Sequence, residues 1–232
     1  MKLKRRCFAV AALLASLQLV SAGDIVGKIT LKGTPPPERD IPMDPACGKI
    51  HPTKKTRFYV VGEGNGLADT LIYVKEGLSG KEFPVPEKPA LLDQIGCEYV
   101  PYVAAVQAGQ KILVRNSDPV LHNVHPTPAV AGNKESNLAQ LPKGKDLVFS
   151  FDKEELFLRF KCDVHPWMFS YVTVLNHPFA AVSDENGNFK ITGLPAGKYT
   201  IEARHRKGGT ETMEVTVEES GKKEANFSFD AK

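Results

Sequence analysis

After residue 22 the chain is interrupted every few residues by glycine, proline or Asn-Gly, and the runs between are short and rich in Val, Ile, Phe and Tyr. None carries the three-to-four apolar spacing of a long helix. Such punctuation leaves short strands joined by tight turns, so the expected fold class is all-β. Strands are expected at 25–31, 57–61, 70–75, 102–107, 111–116, 147–151, 156–162, 169–175, 188–191, 198–204 and 212–217, with proline-rich connections at 33–37 and 83–89. A length of 232 residues accommodates one large domain or two small ones.

The first residues have a different character. Lys2, Lys4, Arg5 and Arg6 precede an apolar run from Cys7 to Val20, which is too short to span a bilayer and ends at the small-residue site Val20-Ser21-Ala22. This reads as a secretory signal over residues 1–22. Arg5-Arg6 also fits a loose twin-arginine pattern, which leaves the export route open. Loss of those four basic residues brings the 30 Lys and Arg close to the 27 Asp and Glu, a balance that argues against nucleic acid or an anionic membrane as partner. Three cysteines then remain, Cys47, Cys97 and Cys162, an odd number for an exported protein. One disulfide, Cys47 with Cys97, plus one metal thiolate would account for them; reduced Cys47 and Cys97, or a bridge to Cys162, are the alternatives.

Chemistry concentrates in one loop. On a strand, Leu156, Leu158, Phe160 and Cys162 share the apolar side while Phe157, Arg159 and Lys161 share the other. Cys162 thus closes a buried face, and His165 and Met168 follow at intervals of three. Thiolate, imidazole and thioether offered to one point suit a trigonal copper ion with a long axial methionine. A second imidazole is needed from elsewhere, and His122, after the strand 111–116, is the candidate. His125 would face the opposite way and is expected at the surface or behind the ligands. His51, His177 and His205 lack partners at ligand spacing and are expected to face solvent, while Asp44, Asp93 and Glu98 are carboxylates with no partner that the sequence identifies.

Gly109 to Asn116, then His122-Asn123-Val124, then Cys162-Asp163-Val164-His165-Pro166-Trp167-Met168, resemble the cupredoxin family in its plastocyanin- and amicyanin-like branch. The resemblance implies a Greek-key sandwich over about 93–176, one type 1 copper held by His122, Cys162, His165 and Met168, and electron transfer without catalysis. It implies that Asn123 locks the backbone beside the first histidine. It also implies that His165 exposes its ring edge through an apolar patch, flanked by Pro166 and Trp167, where electrons enter or leave.

Residues 177–232 lack this chemistry. Ser183 to Ala203, with turns at Asn186-Gly187 and Pro195-Ala196-Gly197, resembles the carboxypeptidase regulatory-like, transthyretin-type β-sandwich. The opening strands of such a sandwich do not precede Ser183, but 24–31 and 68–74 resemble them. The segment 23–92 therefore either completes the C-terminal sandwich, making the copper unit an insertion, or extends the copper unit. The chain contains no phosphate-binding glycine loop, nucleophile elbow, zinc-protease helix or haem attachment motif. The expected function is periplasmic or secreted electron transfer between redox proteins; the alternatives are copper storage or delivery, or a non-redox binding and adhesion module.

Overall fold

The computed structural model describes residues 22–232, so the leader expected over 1–22 lies outside the described residues but for Ala22. The chain is all-β, built as two sandwiches with separate cores.

The terminal sandwich draws on both ends of the chain. In one sheet Ala22–Lys32 is central: it pairs antiparallel with Asn188–Pro195 and parallel with Lys222–Glu224 and Phe227–Asp230. The facing sheet runs Ala180–Val182, Leu71–Glu76, Gly197–His205, Gly209–Val217. Between them lie Ile25, Ile29, Leu67, Ile72, Phe189, Ile191, Ile201, Phe227 and Phe229. Alternation dictates this: Ile25, Ile29 and Leu31 all fall on one phase of their strand and are buried. The turn at Asn186-Gly187 works as its residues predict, with Gly187 at φ 80° and Asp184 Oδ1 accepting the amides of Asn186 and Asn188.

The inserted sandwich spans Ala90 to Leu175. One sheet has the order Leu138–Gln140, His122–Thr127, Glu155–Lys161, Phe169–Leu175, Val103–Gln107; the other runs Leu147–Phe149, Ile112–Asn116, Ala90–Gln94, Tyr99–Val100. Its core of Leu92, Ile112, Val114, Val124, Leu158, Phe160, Val172 and Val174 also takes in Cys47, Cys162 and Met168.

Three expectations change. The alternation expected along 156–162 fails at its start, because Phe157 sits at φ 57° and donates its amide to Thr173 Oγ1 while the register shifts between Glu155 and Leu158. This bulge turns Leu156 and Phe157 toward Leu71, Tyr73 and Leu175, a small cluster that joins the two sandwiches. No strand forms over 57–61; the segment is held by side chains instead, with Glu38 accepting the Tyr59 amide and Arg57 paired with Asp69 at 2.8 Å. A short helix, Pro45–Ile50, appears where none was expected. Asp44 caps it by accepting the amides of Ala46 and Cys47, and Pro45 occupies the first turn, where no amide is needed.

Candidate metal centre

His122 opens the strand His122–Thr127, and Cys162 follows the adjacent strand Glu155–Lys161, so ladder pairing brings two distant stretches to one end of the inserted sandwich. The 162–168 loop then folds back on itself. Cys162 donates its amide to the Met168 carbonyl at 3.0 Å, and Met168 donates to the His165 carbonyl at 2.8 Å. Cys162, His165 and Met168 are thereby turned inward, while Asp163, Val164 and Pro166 stay exposed.

The ligating atoms of His122, Cys162 and His165 all lie within 4.8 Å of one another. His122 Nδ1 and His165 Nδ1 are 2.9 Å apart, and Cys162 Sγ is 3.6 Å from His165 Nδ1. Two nitrogens bound to one ion at about 2.0 Å with trigonal angles stand about 3.5 Å apart, so these separations fit a shared ion after a small adjustment. His122, Cys162, His165 and Met168 are 0%, 1%, 5% and 1% exposed, so two imidazoles and a thiol meet in a buried site and Met168 lies in the same core as Cys162. That soft, low-charge donor set suits copper far better than magnesium or calcium.

Asn123 ties the two stretches together. Its Oδ1 accepts the amides of Asp163 at 2.7 Å and Val164 at 3.3 Å and the Cys162 thiol at 3.2 Å, and its own amide points at Cys162 Sγ, 3.5 Å away. Its carbonyl accepts the hydroxyl of buried Tyr99. Pro166 is exposed and makes no such contact. Cys47 and Cys97 form a disulfide, and Cys162 is the free cysteine among the described residues.

The electrostatics ease ionisation of the thiol. Burial opposes ionisation of Cys162, but His122, the Asn123 amide and the loop around His165 outweigh it and bring the thiol below its ordinary value. Burial likewise opposes an imidazolium at His122, yet Asp118 and the Cys162 sulfur lift its pKa. His165 is moved down, first by burial and then by the charge of His122.

The expectation for His165 is overturned: its ring edge does not reach solvent. Its Nε2 meets Asp44 Oδ2 at 3.0 Å, because the capped helix Pro45–Ile50 is bridged to the inserted sandwich through Cys47 and lies over the imidazole. Sequence reasoning left Asp44 without a partner and passed over Asp118, whose Oδ2 accepts from His122 Nε2 at 2.9 Å. The signals were there in part: Asp44-Pro45 is a helix start, and Asp118 precedes His122 by four. The remaining groups sort themselves out. Glu98 pairs with Lys54 at 2.5 Å, Asp93 accepts from Ser117, and the ring nitrogens of His125 face Asp163 and Glu135. His51 is exposed and His177 half-buried; His205, expected in solvent, is buried in the terminal sandwich and stacked on Tyr59.

Residues 169–230 match the carboxypeptidase regulatory-like domain family. The match begins on Phe169–Leu175, a strand of the inserted sandwich, and continues through most of the terminal one. No curated protein matches the chain. Among solved structures the chain is similar to a copper-containing nitrite reductase (NirK) from Thermus scotoductus SA-01, at 20% identity and TM-score 0.35, covering 43% of this chain and 24% of that one. It is also similar to a reduced tryptophan-to-tyrosine variant of amicyanin, at 21% identity and TM-score 0.34 over 44% of this chain and 97% of that one. A Cu(I) methionine-to-glutamine variant of amicyanin gives 20% identity and TM-score 0.34 over 39% and 85%. The chain thus spans about a quarter of the nitrite reductase and nearly all of amicyanin.

Proposed function

We propose that this chain is an exported cupredoxin that carries single electrons between extracytoplasmic redox proteins and performs no substrate chemistry. The carrying observation is the buried meeting of His122 Nδ1, Cys162 Sγ and His165 Nδ1 at one end of a β-sandwich. Copper bound there would supply the Cu(II)/Cu(I) couple. The chain's own part is to hold the donors still. Asn123 clamps the Cys162 loop to the strand of His122, and neighbouring charges keep the sulfur toward its anionic form. Met168, buried in the same core as Cys162, would offer its thioether to copper as a fourth ligand, leaving no position open for a small molecule.

With His165 covered, Trp167 becomes the route for electrons. Its indole ring lies 5.3 Å from the His165 ring between centroids, and it lines an apolar cleft together with Tyr99, Tyr102, Met168 and Phe169. A partner would dock beside this cleft and the exposed Pro166. Export is supported by the basic, apolar leader and by the Cys47–Cys97 bridge, which persists in oxidising compartments.

Adding Cu(II) to the apo-protein is expected to produce an intense visible thiolate-to-copper absorption that ascorbate bleaches reversibly. Cys162→Ser is expected to abolish it. Absence of the band from the wild-type protein, or its survival in Cys162→Ser, would overturn the assignment.

A further inference from the structure

We propose that Asp44 and Asp118 are paired positioning residues which orient the two imidazoles from outside, and that the Cys47–Cys97 bridge joins them into one unit closing the centre over His165. The inference rests on the copper reading of the site and goes beyond it, because neither carboxylate nor either bridged cysteine belongs to the ligand set.

The geometry repeats on both sides. His122 Nε2 donates to Asp118 Oδ2 at 2.9 Å, and His165 Nε2 donates to Asp44 Oδ2 at 3.0 Å. Each carboxylate is in turn held by the backbone of one half of the disulfide. Asp44 Oδ1 accepts the amides of Ala46 at 2.7 Å and Cys47 at 3.0 Å. Asp118 accepts the amide of Gly96 at 2.6 Å through Oδ1 and that of Cys97 at 2.8 Å through Oδ2. Gly96 and Cys97 lie at φ 67° and 56°, the left-handed backbone that turns both amides to the same side. The contacts form a ring: His122, Asp118, Cys97, Cys47, Asp44, His165, and back to His122 through the 2.9 Å approach of the two Nδ1 atoms. The Lys54–Glu98 ion pair fastens the chain beyond the helix to the residue after Cys97, and both cysteines are fully buried.

Physical chemistry gives the ring its consequences. A carboxylate accepts and cannot donate, so each Nε2 carries a proton and each Nδ1 is turned inward. Both rings are held in the orientation a metal requires before any metal arrives. Without the bridge, the six-residue helix keeps the Asp44 contact, the packing of Met43 and Ile50 and the Lys54–Glu98 ion pair beyond it, but loses its covalent tie to Cys97. The imidazole would then open to solvent and lose its anchored tautomer.

Two variants test this on the apo-protein. Asp44→Asn preserves the helix cap, since asparagine caps as well as aspartate. The oxygen it spends on the Ala46 and Cys47 amides, however, leaves an amide NH2 group facing His165 Nε2. Cys47→Ser/Cys97→Ser removes the bridge and keeps Asp44. Carbethoxylation read by peptide mass spectrometry is expected to label His165 about tenfold faster in both variants than in wild type. His177, in a distant part of the fold, should keep its rate. Co(II) binding, followed by its thiolate absorption, should weaken by about 10- to 100-fold in Asp44→Asn and be partly restored in Asp44→Glu. Labelling of His165 at the wild-type rate in Asp44→Asn, with Co(II) affinity within about twofold of wild type, would overturn the proposal. If the double-serine protein does not fold, Asp44→Asn alone decides. Failure of the copper reading shows itself separately, as a wild-type protein without the visible band, and the apo labelling still settles the cap.

Discussion

Asn123 is the residue on which the centre turns, because one side-chain oxygen satisfies two loop amides and the cysteine while the amide beside it faces the sulfur. Asn123→Ala leaves those part-buried amides and the buried thiol unpaired and is expected to cost about 2 kcal/mol in chemical denaturation of the apo-protein. Met168→Leu keeps the packing volume and removes the thioether. Under the copper reading it should retain the visible band and raise the reduction potential, as measured by voltammetry. His205 carries a different prediction. Burial alone pushes it down to about 4, and its Nδ1 accepts the Gly208 amide at 2.9 Å, so the folded protein keeps it neutral. An unfolded chain protonates it near 6.5. As pH falls from about 6.5 to about 4 the unfolded state gains a proton that the folded state refuses, and about 3 kcal/mol of stability is lost. Urea midpoints across that window should show the fall, and His205→Gln should flatten it.

Among the elements, the helix Pro45–Ile50 contributes most to the site for its size. It is too short to be stable alone and is held by its Asp44 cap, by Met43 and Ile50 packed on the inserted core, and by the disulfide. Cys47 and Cys97 are 50 residues apart, and closing a loop of that length stabilises a fold by about 4 kcal/mol on the chain-entropy account. The double-serine variant should show a loss of that order in urea denaturation, and a change below about 1 kcal/mol would mean that packing alone holds the segment. The bulge at Phe157 is the second such device. It spoils a regular strand start in order to aim Leu156 and Phe157 at the neighbouring sandwich, where Arg206 lies 5.5 Å over the Phe157 ring and 4.1 Å over that of Tyr171.

At the scale of the whole molecule, the terminal sandwich is assembled from pieces more than 100 residues apart in sequence. Ala22–Lys32 is the central strand of one of its sheets, and Leu71–Glu76 lies between Ala180–Val182 and Gly197–His205 in the other. Residues 177–232 alone would expose Phe189, Ile191, Ile201 and Phe227 along unpaired strand edges. That fragment is therefore expected to be unfolded by circular dichroism, although it holds most of the family match; a cooperative thermal transition would contradict the pairing just described. The arrangement places both termini of the described chain in one sandwich and the metal-capable residues in the other.

The all-β class was legible in the sequence, because turn residues and two-residue alternation act locally and need no knowledge of the fold. The meeting of His122, Cys162 and His165 was legible for a related reason: two of the three sit in one loop at fixed spacing, and strand pairing has only to deliver one histidine. The strands that complete the terminal sandwich were visible as patterns, but their partners were not, since a ladder between Gly27 and Phe189 leaves no mark on either segment alone. Asp44 and Asp118 were legible only in part, as a helix start and as a neighbour of His122, on the same ground. A carboxylate has no preferred partner until the chain's path sets its distance from an imidazole. Here tertiary structure alone decided that the edge of His165, which the ligand pattern would leave open to solvent, is closed by a carboxylate from a helix 121 residues upstream.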